Sequence, residues 1–195
     1  IENSPAAFAA AIAHGYAIEC DVRLSGDGKP MVFHDDDLER LTGQKGSIST
    51  LSAGQLGRAP LLDSTAGDCP PRFEAVLEQV AGRQLLVIEL KNQKTAAAQA
   101  ELARAVADAL SGYKGPAVVE SFDPRLLTRV HAAGWPGPTG IVLIRDIARL
   151  GGPKGVFPEA YLRHMLHFPM THFSFMSCNK NDLDLPMVRF WRARG

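Results

Sequence analysis

Cysteine is scarce in this 195-residue chain. Cys20, Cys69 and Cys178 are too few and too scattered for a disulfide framework, and their odd count leaves at least one unpaired. A reducing compartment, the cytoplasm, is therefore the expected location. Ile1 is not a natural initiator, which leaves room for upstream residues, a signal peptide among them. Charge of one sign is also missing: 21 Lys and Arg balance 21 Asp and Glu. The basic footprint of a nucleic-acid binder is absent, so no nucleic-acid partner is expected. No apolar run approaches the ~20 residues of a membrane span. No glycine-rich dinucleotide fingerprint follows any predicted strand, which argues against a Rossmann domain.

What is present is a 46% hydrophobic chain, enough for one sizeable domain over residues 1–195. Six short apolar runs read as buried strands: Ala17–Arg23, Pro30–His34, Leu85–Lys91, Ala117–Ser121, Gly140–Ile144 and His172–Met176. Helices are predicted over Asn3–His14, Arg72–Ala81, Thr95–Leu110, Pro124–Ala133 and Pro186–Ala193. Ser4-Pro5 and Asp123-Pro124 act as helix starts. Strands alternating with helices argue for a parallel sheet. One connection does not conform. Leu24–Lys29 is too short for a helical crossover, so the second strand is either antiparallel or reached by an extended crossover. Both ends look truncated. Adding one strand at each end to the six gives the eight of a TIM (β/α)8 barrel, and an open doubly wound sheet is the other possibility. Residues 35–71 form a long excursion with a helical turn near Ser52–Leu56. In a barrel this excursion would lie over the active site.

Charges inside strands carry the functional signal. Residues two apart in a strand share a face, so Glu19 and Asp21 point together while Cys20 points away. Glu89 and Lys91 share a face in the same manner. Burying carboxylates is costly unless they are paired or bind a metal. Three carboxylates with one lysine suit a hard divalent cation, Mg2+ or Ca2+, with Lys91 offsetting negative charge or contacting a phosphate. His34 stands where an apolar strand meets its loop, and its chemistry suits general acid–base work. The plainer readings are a surface strand edge for Glu19-Cys20-Asp21, a cross-strand charge pair for Glu89 and Lys91, and a turn for His34-Asp35.

Other residues read as structural. His14 closes a helix and His131 sits among alanines. His164, His167 and His172 straddle Pro169 without a carboxylate between them, which argues against a second metal site. Arg145, after a strand, reads as a surface arginine before a phosphate contact. The loop Cys178–Asp184 is a candidate wall for an alcohol pocket.

Several ordered segments resemble one family. Ile1-Glu2-Asn3-Ser4-Pro5-Ala6-Ala7-Phe8 looks like a P-E-N-T-x-x-A-F segment, and Glu19-Cys20-Asp21-Val22 like E-x-D-V. Asp27–Asp35 is similar to D-G-x-x-V-x-H-D with one residue more, and Leu38–Thr42 continues it. Ile88-Glu89-Leu90-Lys91 looks like I-E-x-K, and Glu120–Asp123 like a strand end in S-F. These segments resemble the glycerophosphodiester phosphodiesterases, densely over residues 1–91 and more thinly beyond. The resemblance implies a TIM barrel, a divalent cation held by Glu19, Asp21 and Glu89, His34 as one of two catalytic histidines, and Lys91 at the phosphate. It implies hydrolysis of a small-molecule glycerophosphodiester to an alcohol and glycerol 3-phosphate, and leaves the oligomeric state open. The family's other histidine lies in an H-R-G motif on the first strand. That strand is expected before Ile1, and the last strand after Gly195. A same-fold lysophospholipid phosphodiesterase and a barrel that binds without catalysis are the alternatives.

Overall fold

The computed structural model describes residues 1–145, 161–162 and 164–194. Ser4 caps helix α1 (Pro5–His14), accepting from Ala7 N at 3.1 Å, and the chain leaves the helix through Gly15 in the left-handed region. Strand β1 (Ile18–Leu24) follows, then β2 (Pro30–Val32). The short helices α2 (Glu39–Thr42) and α3 (Ala53–Leu56) lie in the excursion. Helix α4 (Phe73–Val80), strand β3 (Leu86–Leu90), helix α5 (Ala96–Ser111), strand β4 (Ala117–Ser121), helix α6 (Pro124–Ala132) and strand β5 (Thr139–Leu143) alternate as expected. Helix α7 (Phe168–Thr171), strand β6 (Phe175–Cys178) and helix α8 (Pro186–Arg192) follow, and short 3-10 turns lie at Ile48–Thr50 and Lys180–Asp182.

The sheet order is β2-β1-β3-β4-β5-β6. β1 pairs in parallel with β3, and the parallel pairing continues to β6. The short connection is an antiparallel hairpin, with Val22 opposite Val32. Gly28, at φ 71°, makes the turn that a side chain would strain. Of the two geometries left open for this connection, the structure has the antiparallel one. β2 is the hairpin partner at the edge of the described sheet, and the other five of its six strands run parallel. A correction concerns β6, expected over His172–Met176 and found over Phe175–Cys178. Phe168–Thr171 is a helical turn, and His172 closes it in the left-handed conformation, so the chain becomes extended only afterwards.

Strand parity divides the sheet. Ile18, Cys20 and Val22 of β1, with Leu86, Ile88 and Leu90 of β3, pack into a core shared with α4, α5 and α6. Glu19, Asp21, Glu89 and Lys91 are thereby left on the opposite face. The excursion has its own core, in which Phe33, Leu38, Leu41, Ile48 and Leu56 are buried. It docks on the hairpin tip: Gly26 N donates to Leu51 O at 2.7 Å, and Asp27 accepts from Ala53 N at 2.8 Å. A Cβ at Gly26 would meet the Ser49 carbonyl oxygen at 3.0 Å.

Candidate active site

β1 and β3 bring Glu19, Asp21 and Glu89 together. One oxygen from each lies within 4.8 Å of the others. Lys91, immediately after β3, places Nζ 2.8 Å from Asp21 Oδ1 and 2.6 Å from Glu89 Oε1. Both carboxylates and the ammonium are largely buried, so Lys91 and the acidic group compensate one another out of water. Three carboxylate oxygens this close together, an all-oxygen set carrying more negative charge than one lysine offsets, fit a hard divalent cation.

Electrostatics agree. Glu19 keeps open surface toward the cleft, yet lost hydration and the neighbouring Asp21 and Glu89 carboxylates push its carboxyl up to about 8. Burial raises Glu89 as well, against the opposing pull of Lys91. For Lys91, burial works against the charge, but Glu89 and Asp21 overcome it and hold the ammonium protonated.

His34 is half-exposed and lines the same cleft, of about 680 Å3, with Glu19, Asp21 and Glu2. β2 ends before it at Val32, but Phe33 N still donates to Asp21 O at 2.9 Å, which holds His34 beside the carboxylates. Its Nδ1 lies 2.6 Å from Asp35 Oδ1. From the excursion, Asp35 and Arg40 line this cleft.

Three contributors had no role assigned from sequence. Asn3, at φ 55°, donates to Asp21 Oδ2 at 2.7 Å and accepts from Asp21 N at 3.1 Å. Arg40 bridges Glu2 and Asp35. Glu120, opposite Glu89 on β4, is buried; burial first and the Glu89 charge second push it up to about 7. A carboxylate closing the apolar run Ala117-Val118-Val119 was the available signal, and its register opposite Glu89 places it on the site face.

The residues set aside are structural. Arg145 is occupied by Asp182 and Asp184. His131 bridges Trp135 O and Thr139 Oγ1, each at 3.0 Å. His164 and His172 are exposed while His167 is buried, and burial lowers His167 to about 4. Among the described residues the Glu19, Asp21 and Glu89 group is the one cluster with metal-ligand spacing.

Comparison with known proteins gives a consistent answer. A glycerophosphodiester phosphodiesterase of Bacillus altitudinis is 37% identical over 98 residues. That match covers 47% of this chain and 40% of the relative's length. A phosphodiesterase from Oleispira antarctica, solved with the product sn-glycerol-3-phosphate, superposes with a TM-score of 0.79 at 23% identity, covering 99% of this chain and 75% of that one. A glycerophosphodiester phosphodiesterase from Agrobacterium tumefaciens gives 0.69 at 24% identity, covering 99% and 77%. These likenesses establish the TIM-barrel fold, of which the described strands form an open, mostly parallel part. The profile of the Glycerophosphoryl diester phosphodiesterase family matches residues 1–142. With the fold, the carboxylate cluster and that match in agreement, the chain belongs to the glycerophosphoryl diester phosphodiesterase family, whose members are phosphoric diester hydrolases.

Proposed function

We propose that this protein is a cation-dependent phosphodiesterase that cleaves glycerophosphodiesters to an alcohol and glycerol 3-phosphate. The observation that carries the reading is the convergence of Glu19, Asp21 and Glu89 within 4.8 Å beside a buried Lys91. Those three carboxylates would hold Mg2+ or Ca2+. A bound cation supplies charge neutralisation at the phosphoryl oxygens. Lys91 stands where it can pair with a phosphate oxygen once the carboxylates are otherwise satisfied. His34, oriented by Asp35, presents its other ring nitrogen for proton transfer at a glycerol hydroxyl or the leaving alkoxide. The complex of the Oleispira antarctica relative with sn-glycerol-3-phosphate supports the product class. The free thiols Cys20, Cys69 and Cys178 support a cytoplasmic setting.

The test is hydrolysis of glycerophosphocholine by the full-length protein with Mg2+ or Ca2+ and with chelator. Glu89→Ala is expected to abolish both cation binding and turnover. His34→Ala is expected to lower kcat by ~10²–10⁴-fold and leave cation binding intact. Turnover unchanged in His34→Ala counts against the reading.

A second reading, a lysophospholipid phosphodiesterase of the same fold, draws support from an apolar cavity of about 130 Å3 beyond β4 and β5. Phe122, Leu143, Met165 and Val188 line it. Phe122 also faces the site, its ring centroid 6.0 Å from Lys91 Nζ. Product analysis with both substrate classes separates the two.

A further inference from the structure

We propose that Arg40 is a positioning residue for His34, acting through Asp35 and anchored on Glu2; this rests on the catalytic reading of His34 given above. The guanidinium uses two edges. Nε donates to Asp35 Oδ2 at 2.6 Å and Nη2 to Asp35 Oδ1 at 2.9 Å. On the other side, Nη2 donates to Glu2 Oε1 at 2.6 Å and Nη1 to Glu2 Oε2 at 3.1 Å. Two such forks fix the plane and direction of the Asp35 carboxylate, which a single ammonium would not do.

The hydrogen bond to Arg40 holds Asp35 at about 2, so at neutral pH this carboxylate only accepts. Its contact with His34 Nδ1 at 2.6 Å therefore requires the hydrogen on Nδ1. Nε2 of the neutral ring is left with its lone pair, as a proton acceptor needs. The chain is also held from β1: Arg23 Nε donates to the backbone His34 O at 2.7 Å and Arg23 Nη1 to the Asp36 carboxylate Oδ1 at 2.6 Å. Arg40 thus sets the imidazole, while Arg23 sets the chain that carries it. Glu2 adjoins Asn3, which clasps Asp21, so one guanidinium ties the histidine to the segment that supports the carboxylate cluster.

Arg40 is half-exposed, with a side-chain exposure of 50%. Ion pairs at such positions contribute little to stability, so its main effect is on geometry. Arg40→Met is expected to leave the thermal midpoint near that of the unaltered protein and to lower kcat by about 10- to 100-fold with KM nearly unchanged.

The deciding measurement is the 15N spectrum of the imidazoles in the full-length protein. His34 is expected as the Nδ1–H tautomer, and as a mixture of tautomers in Arg40→Met and Arg40→Gln. Arg40→Lys, which keeps the charge and loses the fork, is expected to fall between. The His14 and His131 signals report an intact fold. An unchanged His34 tautomer in folded Arg40→Met overturns the proposal; if that variant does not fold, an unchanged tautomer in Arg40→Lys does so. A tautomer shift in a protein that hydrolyses no glycerophosphodiester even when unaltered upholds the positioning role and removes the proposed function instead.

Discussion

Asn3 grips Asp21 at two points, its amide nitrogen on the carboxylate at 2.7 Å and its amide oxygen on the backbone N–H at 3.1 Å. The grip fixes which Asp21 oxygen is left for a cation and for Lys91. Outer partners of this kind typically govern metal affinity by ~10–100-fold, so Asn3→Ala is expected to weaken Mg2+ or Ca2+ binding by that factor in titration calorimetry. Asn3 has a positive φ, which glycine tolerates. Asn3→Gly separates the two effects: affinity retained in that variant means the amide is not the cause.

Lys91 compensates two buried carboxylates at once. Lys91→Met strands them, and breaking a buried pair in this way costs ~3–5 kcal/mol. The cation-free variant is expected to melt well below the unaltered protein, with saturating divalent cation closing part of the gap. Equal melting points without cation would show that Lys91 has no such role.

Stability should depend on pH with a definite sign. Glu19 rises from its ordinary 4.5 to about 8, and Glu120 to about 7. Between pH 4.5 and 8 the cation-free folded protein therefore keeps protons that the unfolded chain has released. Their contribution is complete below pH 4.5 and is lost as pH rises toward 8. Cation binding needs the ionised carboxylates and is favoured in the same interval. The difference in thermal midpoint with and without Mg2+ is expected to widen from pH 5 to pH 8, and a narrowing difference contradicts this assignment.

Gly140 leaves room for the Phe175 ring to lie across β5, and a Cβ there would fall onto that ring. Gly140→Ala is expected to destabilise by about 1–3 kcal/mol, as overpacking does, read as a lower thermal midpoint.

The site was legible where its logic is local. Alternation within Ile18–Val22 and Ile88–Lys91 put Glu19 with Asp21 and Glu89 with Lys91 on one face, and that parity is what the sheet displays. Helix starts at Ser4 and Asp123 were readable because capping is decided by adjacent residues. The direction of β2 was not, since a short connection fits two geometries. The onset of β6, expected at His172, falls at Phe175 because His172 still closes the helical turn Phe168–Thr171, an ending that hydrophobicity does not mark. Asn3 on Asp21 and Arg40 on Glu2 and Asp35 are contacts across the fold, to which no spacing in the sequence corresponds.

The hairpin of β1 and β2 also sets an order of events. Glu19, Asp21 and His34 belong to one short antiparallel unit that closes with little loop entropy. Glu89 joins them only when β3, beyond the whole excursion and α4, pairs with β1. The half-site of the hairpin can therefore form early, while the complete carboxylate set exists only after the slower, distant pairing. A cation that needed all three carboxylates would bind late on the folding path and would act chiefly as a brake on unfolding.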